Sequence, residues 1–451
     1  MNDVKGYRGQ LLHFTGEPKP TDKRSPTNKK DGDDHYVYHE DGVLLVSGSG
    51  HVVAADSAEA LAAEGLDLTR CEHFPGHLIM PGMVDTHIHY PQTGVIASYG
   101  EQLIDWLNQY TFPEEQRFAD LEFAASQAEQ FLNLLMDHGT TTAMVYTTVH
   151  PQSTEAFFSA AQQRGARMIA GKVMMDRNAP PAFLDTPKSS ELDCRQLIER
   201  WHGTDRLHYA LTPRFAPTST AEQLAVAGTL LREYEGLYLQ THISENKAEM
   251  AWVAELFPDA RDYLDVYDRY GLLNERSVLG HGIYLNDRER QRLAETGARV
   301  AFCPTSNLFL GSGLLDRRAL ADAGVDVCLA TDVGGGTSFS MLRTLSEAYK
   351  VMQLQHQSLH PLEALYWVTL GNARSLGLDH RIGNFAKGKE ADFIVLDLNA
   401  DALQGYRQSR AVTLSEKLFA LMTLGDRHNV VQTYLMGHRQ AGYQTVKGDA
   451  R

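Results

Sequence analysis

The sequence predicts an α/β protein: a (β/α)8 TIM-type barrel with a small β-sandwich domain built from both chain termini. Three observations predict it. Eight short apolar segments recur between residues 78 and 332, each followed by a helical or long intervening stretch. Regular β–α alternation implies a parallel sheet, and eight units suggest a closed barrel. Both flanks of this region read as brief strands and turns, and the 451 residues, 43% of them hydrophobic, suffice for one large core and a smaller one. A doubly wound open sheet is the competing fold, but no glycine-rich nucleotide turn follows the first strand.

Residues 1–75 form the N-terminal part of the small β domain. Their apolar runs at 36–39, 42–47 and 51–55 are broken by Gly and Asp. The polar, Pro-containing stretch 18–34 reads as an exposed loop. Residues 76–375 hold the catalytic barrel, somewhat above the ~250 residues typical of such barrels. Its first strand runs from Leu78 to His89, where Pro91 ends regular pairing. A helix is expected from Leu121 to His138, because Ala124, Ala128, Phe131 and Leu135 share one face and Gly139 is a stop. The other strands are expected at 141–146, 167–175, 207–212, 236–242, 277–281, 298–304 and 325–332. Residues 376–451 return to β character, with a turn and strand over 382–397 and a frayed end after 446.

Composition excludes several function classes. A net charge of −15 and a pI near 5.7 repel phosphate, so nucleic acid and anionic membrane are not expected partners. No run of roughly 18 apolar residues predicts a membrane span, and residues 1–20 lack the basic start and apolar core of a signal peptide. Cys71, Cys194, Cys303 and Cys328 are scattered, which fits reduced, mostly buried thiols and a cytoplasmic location. They also exclude a zinc site built on a Pro-Cys-x-x-Cys turn.

Catalytic groups of a β/α barrel sit where the strands finish, on one face. His87 and His89 alternate along a strand, so both imidazoles project to the same side, a placement open to two readings: a pincer for one divalent metal, or two surface histidines on an ordinary strand. The fourth strand ends Thr212-Pro-Arg-Phe, the fifth Thr241-His-Ile-Ser-Glu, the sixth Gly280-His-Gly and the eighth Thr331-Asp-Val-Gly-Gly-Gly. Singly, each has an ordinary explanation. His242 or His281 alone is more often a satisfied structural histidine, Asp332 a cap and Arg214 half of a surface ion pair. Jointly, a His-x-His pair, two more histidines and an aspartate at these ends are hard to explain without a metal.

These motifs resemble the amidohydrolase superfamily, and within it the guanine deaminase family. The general marks are 81–89 (Pro-Gly-Met-Val-Asp-Thr-His-Ile-His), His242, His281, Thr331-Asp332 and the 388–393 strand. The more particular ones are His89-Tyr-Pro-Gln92, the 105–115 segment from Asp105 to Glu115, 212–217 and His242-Ile-Ser-Glu245. The resemblance implies His87, His89, His242 and Asp332 as ligands of one zinc, with iron or manganese as alternatives. Water activated there would attack C2 of guanine, releasing ammonia and leaving xanthine. Glu245 would carry the proton to N3, with a pKa raised toward neutrality. His281 would hydrogen-bond the attacking oxygen, and Asp332 would pass its proton toward the departing amine. Arg214 and Gln92 are expected to read O6 and neighbouring nitrogens, with Phe215 on the purine face. His242, Glu245 and Asp332 are also expected to face the substrate, and Trp106 and Tyr110 either wall or close the pocket or only pack on the barrel's rim. Lys172 on the third strand raises a carbamylated, two-metal centre, but that device more often uses the fourth strand, so one metal is expected. A homodimer is expected from the family alone. The alternatives are a sibling hydrolase of another aminopurine, a pterin or a triazine, a non-catalytic barrel, and an RNA-editing deaminase, which sits badly with an acidic chain.

Overall fold

The computed structural model describes residues 4–19, 35–99 and 103–441. Most of the loop expected at 18–34, and the end expected to fray after 446, lie outside the described residues. Eight parallel strands form the nearly closed barrel, in the order Met83–His89, Thr140–Tyr146, Arg167–Gly171, Leu207–Pro213, Tyr238–Ile243, Ser277–His281, Arg299–Phe302 and Val327–Leu329. The expected helix is present as Leu121–Asp137. Asp120 caps its first turn by accepting the Phe123 N–H at 2.9 Å, and Gly139 turns away at φ +77°.

The strand expected from Leu78 to His89 is in fact two. Glu72–Pro81 belongs to the small sheet and Met83–His89 to the barrel. The break falls at Gly82, where a Cβ would lie 2.1 Å from the Thr141 hydroxyl, so the chain changes sheets at the one residue that fits. The third strand is also interrupted, at Lys172, and resumes as Val173–Met174 beside the fourth. The eighth is shorter than expected, leaving Asp332 in the turn beyond it.

Both chain ends build one seven-stranded mixed sheet: His438–Arg439, Val430–Leu435, Phe393–Leu396, Glu72–Pro81, Val4–Phe14, Tyr36–Ser47 and Val52–Ser57. It coils until its far edge reaches residues 389–391, which lead into Phe393–Leu396, the Val52 N–H donating to the Lys389 carbonyl and the Ala391 N–H to the Gly50 carbonyl, both at 2.8 Å. Tyr7, Phe393 and Tyr434 fill the space inside, with the last two rings stacked at 4.3 Å. The C-terminal section is less β-rich than its sequence suggests, because helices Ala402–Gln408 and Leu414–Leu424 separate its strands. Arg167 and Arg206, from the third and fourth barrel strands' N-terminal ends, pair with Glu390, and Arg206 also pairs with Asp392, fastening barrel to sheet.

The barrel closes between its eighth and first strands. The Asp332 N–H donates to the His87 carbonyl at 2.9 Å and the His89 N–H to the Val333 carbonyl at 2.8 Å. Asp85, fully buried, accepts from the Thr331 N–H at 3.1 Å and its hydroxyl at 2.5 Å. Deeper in the seam, Asn372 donates to the carbonyls of Val84 and Leu329 and accepts the Leu329 N–H. The same bonds that shut the barrel therefore bring Asp332 against the His87–His89 pair. All four cysteines are free, three of them buried. Among the described residues no helix is long and apolar enough to cross a membrane.

Candidate active site

His87, His89, His242 and Asp332 each offer a ligand atom, and these atoms all lie within 4.8 Å of one another. The Nε2 atoms of His87 and His89 are 3.3 Å apart, and each is 3.3 Å from Asp332 Oδ1. The pairing follows from strand geometry, since alternate side chains of the first strand share a face. Gly280, on the sixth strand, leaves room for the His87 ring; a Cβ there would stand 2.6 Å from it. Three residues around the cluster, Ser244, His281 and Asp332, hold positive φ without being glycine (49°, 72° and 51°). Backbone strain of this kind persists where the surroundings fix a side chain's aim.

The chemistry of this donor set suits a divalent cation. His242 donates its Nδ1–H to the Arg214 carbonyl at 2.6 Å, which leaves the Nε2 lone pair free. Burial pushes His89 down to about 3 and His242 well below the usual imidazole range, so both rings are neutral ligands at physiological pH. Burial alone would raise the Asp332 carboxyl, but hydrogen bonds from His87 and His89 outweigh it and hold the group well below the usual carboxylate range.

A second layer surrounds the cluster. His281 donates its Nδ1–H to the Asn307 side-chain oxygen at 2.8 Å, and its Nε2 lies 3.4 Å from Glu245 Oε2 and 3.7 Å from Asp332 Oδ2. Glu245 is pushed up to about 8 by burial and by the Asp332 charge, against the bond that Ser312 donates to Oε1 at 2.9 Å. Oε2 is thus the oxygen free to exchange a proton. Behind it, Glu249 accepts the Glu245 N–H at 2.9 Å and the Tyr263 hydroxyl at 2.7 Å.

The cluster opens into a pocket lined among others by Gln92, Trp106, Arg214, Phe215 and Leu310. Gln92, Arg214 and Phe215 line the same pocket as His89, His242 and His281. Trp106 reaches the pocket, and its indole N–H is buried without an acceptor among the described residues. Tyr110 does not line it; it is half-buried and packs behind, against an apolar cluster that includes Phe112. Lys172 is also elsewhere, fully buried, donating to Asp185 at 2.5 Å and to the Val173 carbonyl at 3.2 Å. That ammonium is committed to an ion pair rather than free to bridge two metals.

A family model described as the amidohydrolase family matches residues 78–439. The chain belongs to the amidohydrolase family. This amidohydrolase is 52% identical over 434 residues to the guanine deaminase of Escherichia coli K12, covering 96% of this chain and 97% of that protein. Its structure superposes on that of an E. coli guanine deaminase with a TM-score of 0.91 at 48% identity, over 98% of this chain and 100% of the other. It also superposes on a guanine deaminase from C. acetobutylicum with guanine bound in its active site (TM-score 0.84, 26% identity, 97% of this chain and 100% of the other).

Four residues of this amidohydrolase site carry no role in the sequence reading: Asp85 at the seam, Asn307 behind His281, Ser312 on Glu245, and Glu115 on Arg214. Asp85 and Glu115 stand inside quoted motifs, which was the available signal. Asn307 and Ser312 follow the seventh strand, whose end offers no histidine or acid to mark it.

Proposed function

We propose that the chain deaminates guanine hydrolytically, giving xanthine and ammonia, at a single metal centre of the pocket. The observation that carries this is that Gln92, Arg214 and Glu245 line one pocket with His89, His242 and Asp332 of the candidate ligand set. His87, His89, His242 and Asp332 would hold the cation; their nitrogen and carboxylate donors suit zinc, with iron or manganese as alternatives. When bound, such a cation makes water a nucleophile at neutral pH by lowering its pKa toward about 7.

The remaining steps belong to the chain's own residues. Arg214 and Gln92 hold the purine by O6 and neighbouring ring nitrogens, and Phe215 packs on its face, which turns C2 toward the cluster. Glu245 Oε2 delivers a proton to N3, making C2 electrophilic, and recovers one from the attacking water. Its raised pKa keeps the acid form available at neutral pH. His281, oriented by Asn307, hydrogen-bonds the oxygen that adds to C2. Asp332 accepts the proton of that oxygen and passes it toward the amine, which leaves as ammonia. Water and guanine thus become xanthine and ammonia. The family resemblance supports a homodimer, and the four free cysteines support a cytoplasmic location.

The test is a substrate profile under ultraviolet detection, with ammonia counted. Guanine should yield xanthine and ammonia one to one, while adenine and cytosine yield neither. Turnover of another aminopurine, a pterin or a triazine in place of guanine would move the chain to a sibling activity. No turnover by metal-loaded protein would favour a non-catalytic barrel.

A further inference from the structure

We propose that Glu115, which the reaction above does not use, is the positioning residue that aims the purine-reading wall and balances its charge; this rests on the guanine reading. Glu115 is fully buried and does not line the pocket. It comes from the helix Phe112–Gln116, in the segment after the first barrel strand. Its carboxylate accepts from Arg214 Nη1 at 2.8 Å and Nη2 at 3.0 Å, and from Gln92 Nε2 at 3.0 Å. Phe112, three residues earlier and so on the same helix face, places its ring 5.4 Å from the Arg214 guanidinium carbon. One short helix therefore grips both Arg214 and Gln92, the two side chains proposed to hydrogen-bond the purine at O6 and its neighbouring nitrogens.

Two consequences follow. The first is orientation. A two-pronged bond leaves three of the five guanidinium N–H donors and fixes their plane. Gln92 is tied at both ends, since its Oε1 also accepts the Gly334 N–H at 3.2 Å, so which end of the amide faces the purine is set before substrate arrives. The second is charge. An unpaired guanidinium would favour carboxylate, phosphate or an ionised purine. Paired with Glu115, the wall offers donors without net charge, which suits the neutral carbonyl of a lactam purine and does not retain an anionic product.

The experiment measures kcat and KM for guanine, and inhibition by xanthine across the pH range in which xanthine passes from neutral to monoanion. Wild type, Glu115→Gln and Glu115→Asp are compared, with metal content measured in each. Glu115→Gln should keep its metal, raise KM by roughly ten- to a hundred-fold with a smaller change in kcat, and bind the xanthine anion better relative to neutral xanthine than wild type does. Glu115→Asp keeps the charge but withdraws it by one methylene, so KM should rise while the preference between the two xanthine forms stays as in wild type. An unchanged KM in either variant overturns the positioning role. An unchanged anion preference in Glu115→Gln overturns the charge role. If Glu115→Gln does not fold, Glu115→Asp still decides the first. A wild-type protein inactive on guanine would instead sink the functional reading on which this rests.

Discussion

His242 donates its Nδ1–H to the main-chain carbonyl of Arg214 at 2.6 Å, and the His242 N–H donates to the same oxygen at 3.2 Å. The imidazole proposed to hold the metal and the residue proposed to read the purine are thereby fixed to each other across two neighbouring strands. The guanidinium itself is not needed for this bond, because the carbonyl belongs to the backbone. Arg214→Ala should therefore spare metal content and act on guanine. Loss of its donors should cost roughly 1–3 kcal/mol of binding, read as a raised KM. It also strands Glu115 as an unpaired buried charge, so the melting midpoint should fall, by roughly 3–5 kcal/mol of stability. His242→Ala should do the reverse: metal and turnover lost together, measured by elemental analysis beside the guanine assay.

Asn307 accepts the Nδ1–H of His281 and so decides which ring nitrogen faces the pocket. Asn307→Ala frees the ring to change tautomer or rotate. Turnover should drop about ten- to a hundred-fold while bound metal stays at the wild-type level. Equal loss of both would make Asn307 a structural prop instead.

Glu245 gives the pH dependence. Burial and the Asp332 charge push its carboxyl up to about 8, so the acid form that protonates N3 is present below that pH and lost above it. Guanine turnover should decline on the alkaline side, as pH rises through the Glu245 pKa of the metal-loaded enzyme. Ser312 donates to the carboxylate and favours the ionised form, so Ser312→Ala should raise the Glu245 pKa and move this alkaline limb to higher pH. A limb that stays in place, or moves to lower pH, contradicts the assignment of Glu245 as the proton carrier.

How far the sequence carried the structure depends on the range of each interaction. Period-two alternation put His87 and His89 on one face, and the strand ends of His242, His281 and Asp332 were visible because β–α alternation marks where strands stop. The division of the first strand at Gly82 was not visible, since an apolar run reads alike whichever sheet pairs with it, and only the Thr141 side chain makes glycine necessary. Val4–Phe14 is not among the runs named within 1–75, because Gly6 and Gly9 interrupt its alternation. The grip of Glu115 on Arg214 joins residues 99 apart in sequence. Its helix sits in a segment quoted as a family mark, yet nothing local to it says which arginine it will meet.

Asn372 holds the barrel seam through three hydrogen bonds to the first and eighth strands, all buried. Asn372→Ala removes all three bonds; the Leu329 carbonyl keeps the Thr86 hydroxyl at 3.1 Å, while the Leu329 N–H and the Val84 carbonyl lose the Asn372 side chain, at a cost of about 1–3 kcal/mol for each group not rescued by water. Thermal unfolding should show a clearly lowered midpoint. Because the seam also carries Asp332 to the histidines, metal affinity should fall with it, measured by competition with a chelator.

The most direct test of the central claim is to strip the protein with a chelator, return zinc in measured steps, and follow guanine turnover against equivalents added. The account predicts negligible turnover at zero, a linear rise, and a break at one zinc per chain. Full activity in stripped protein, or a break only at two equivalents, would contradict it.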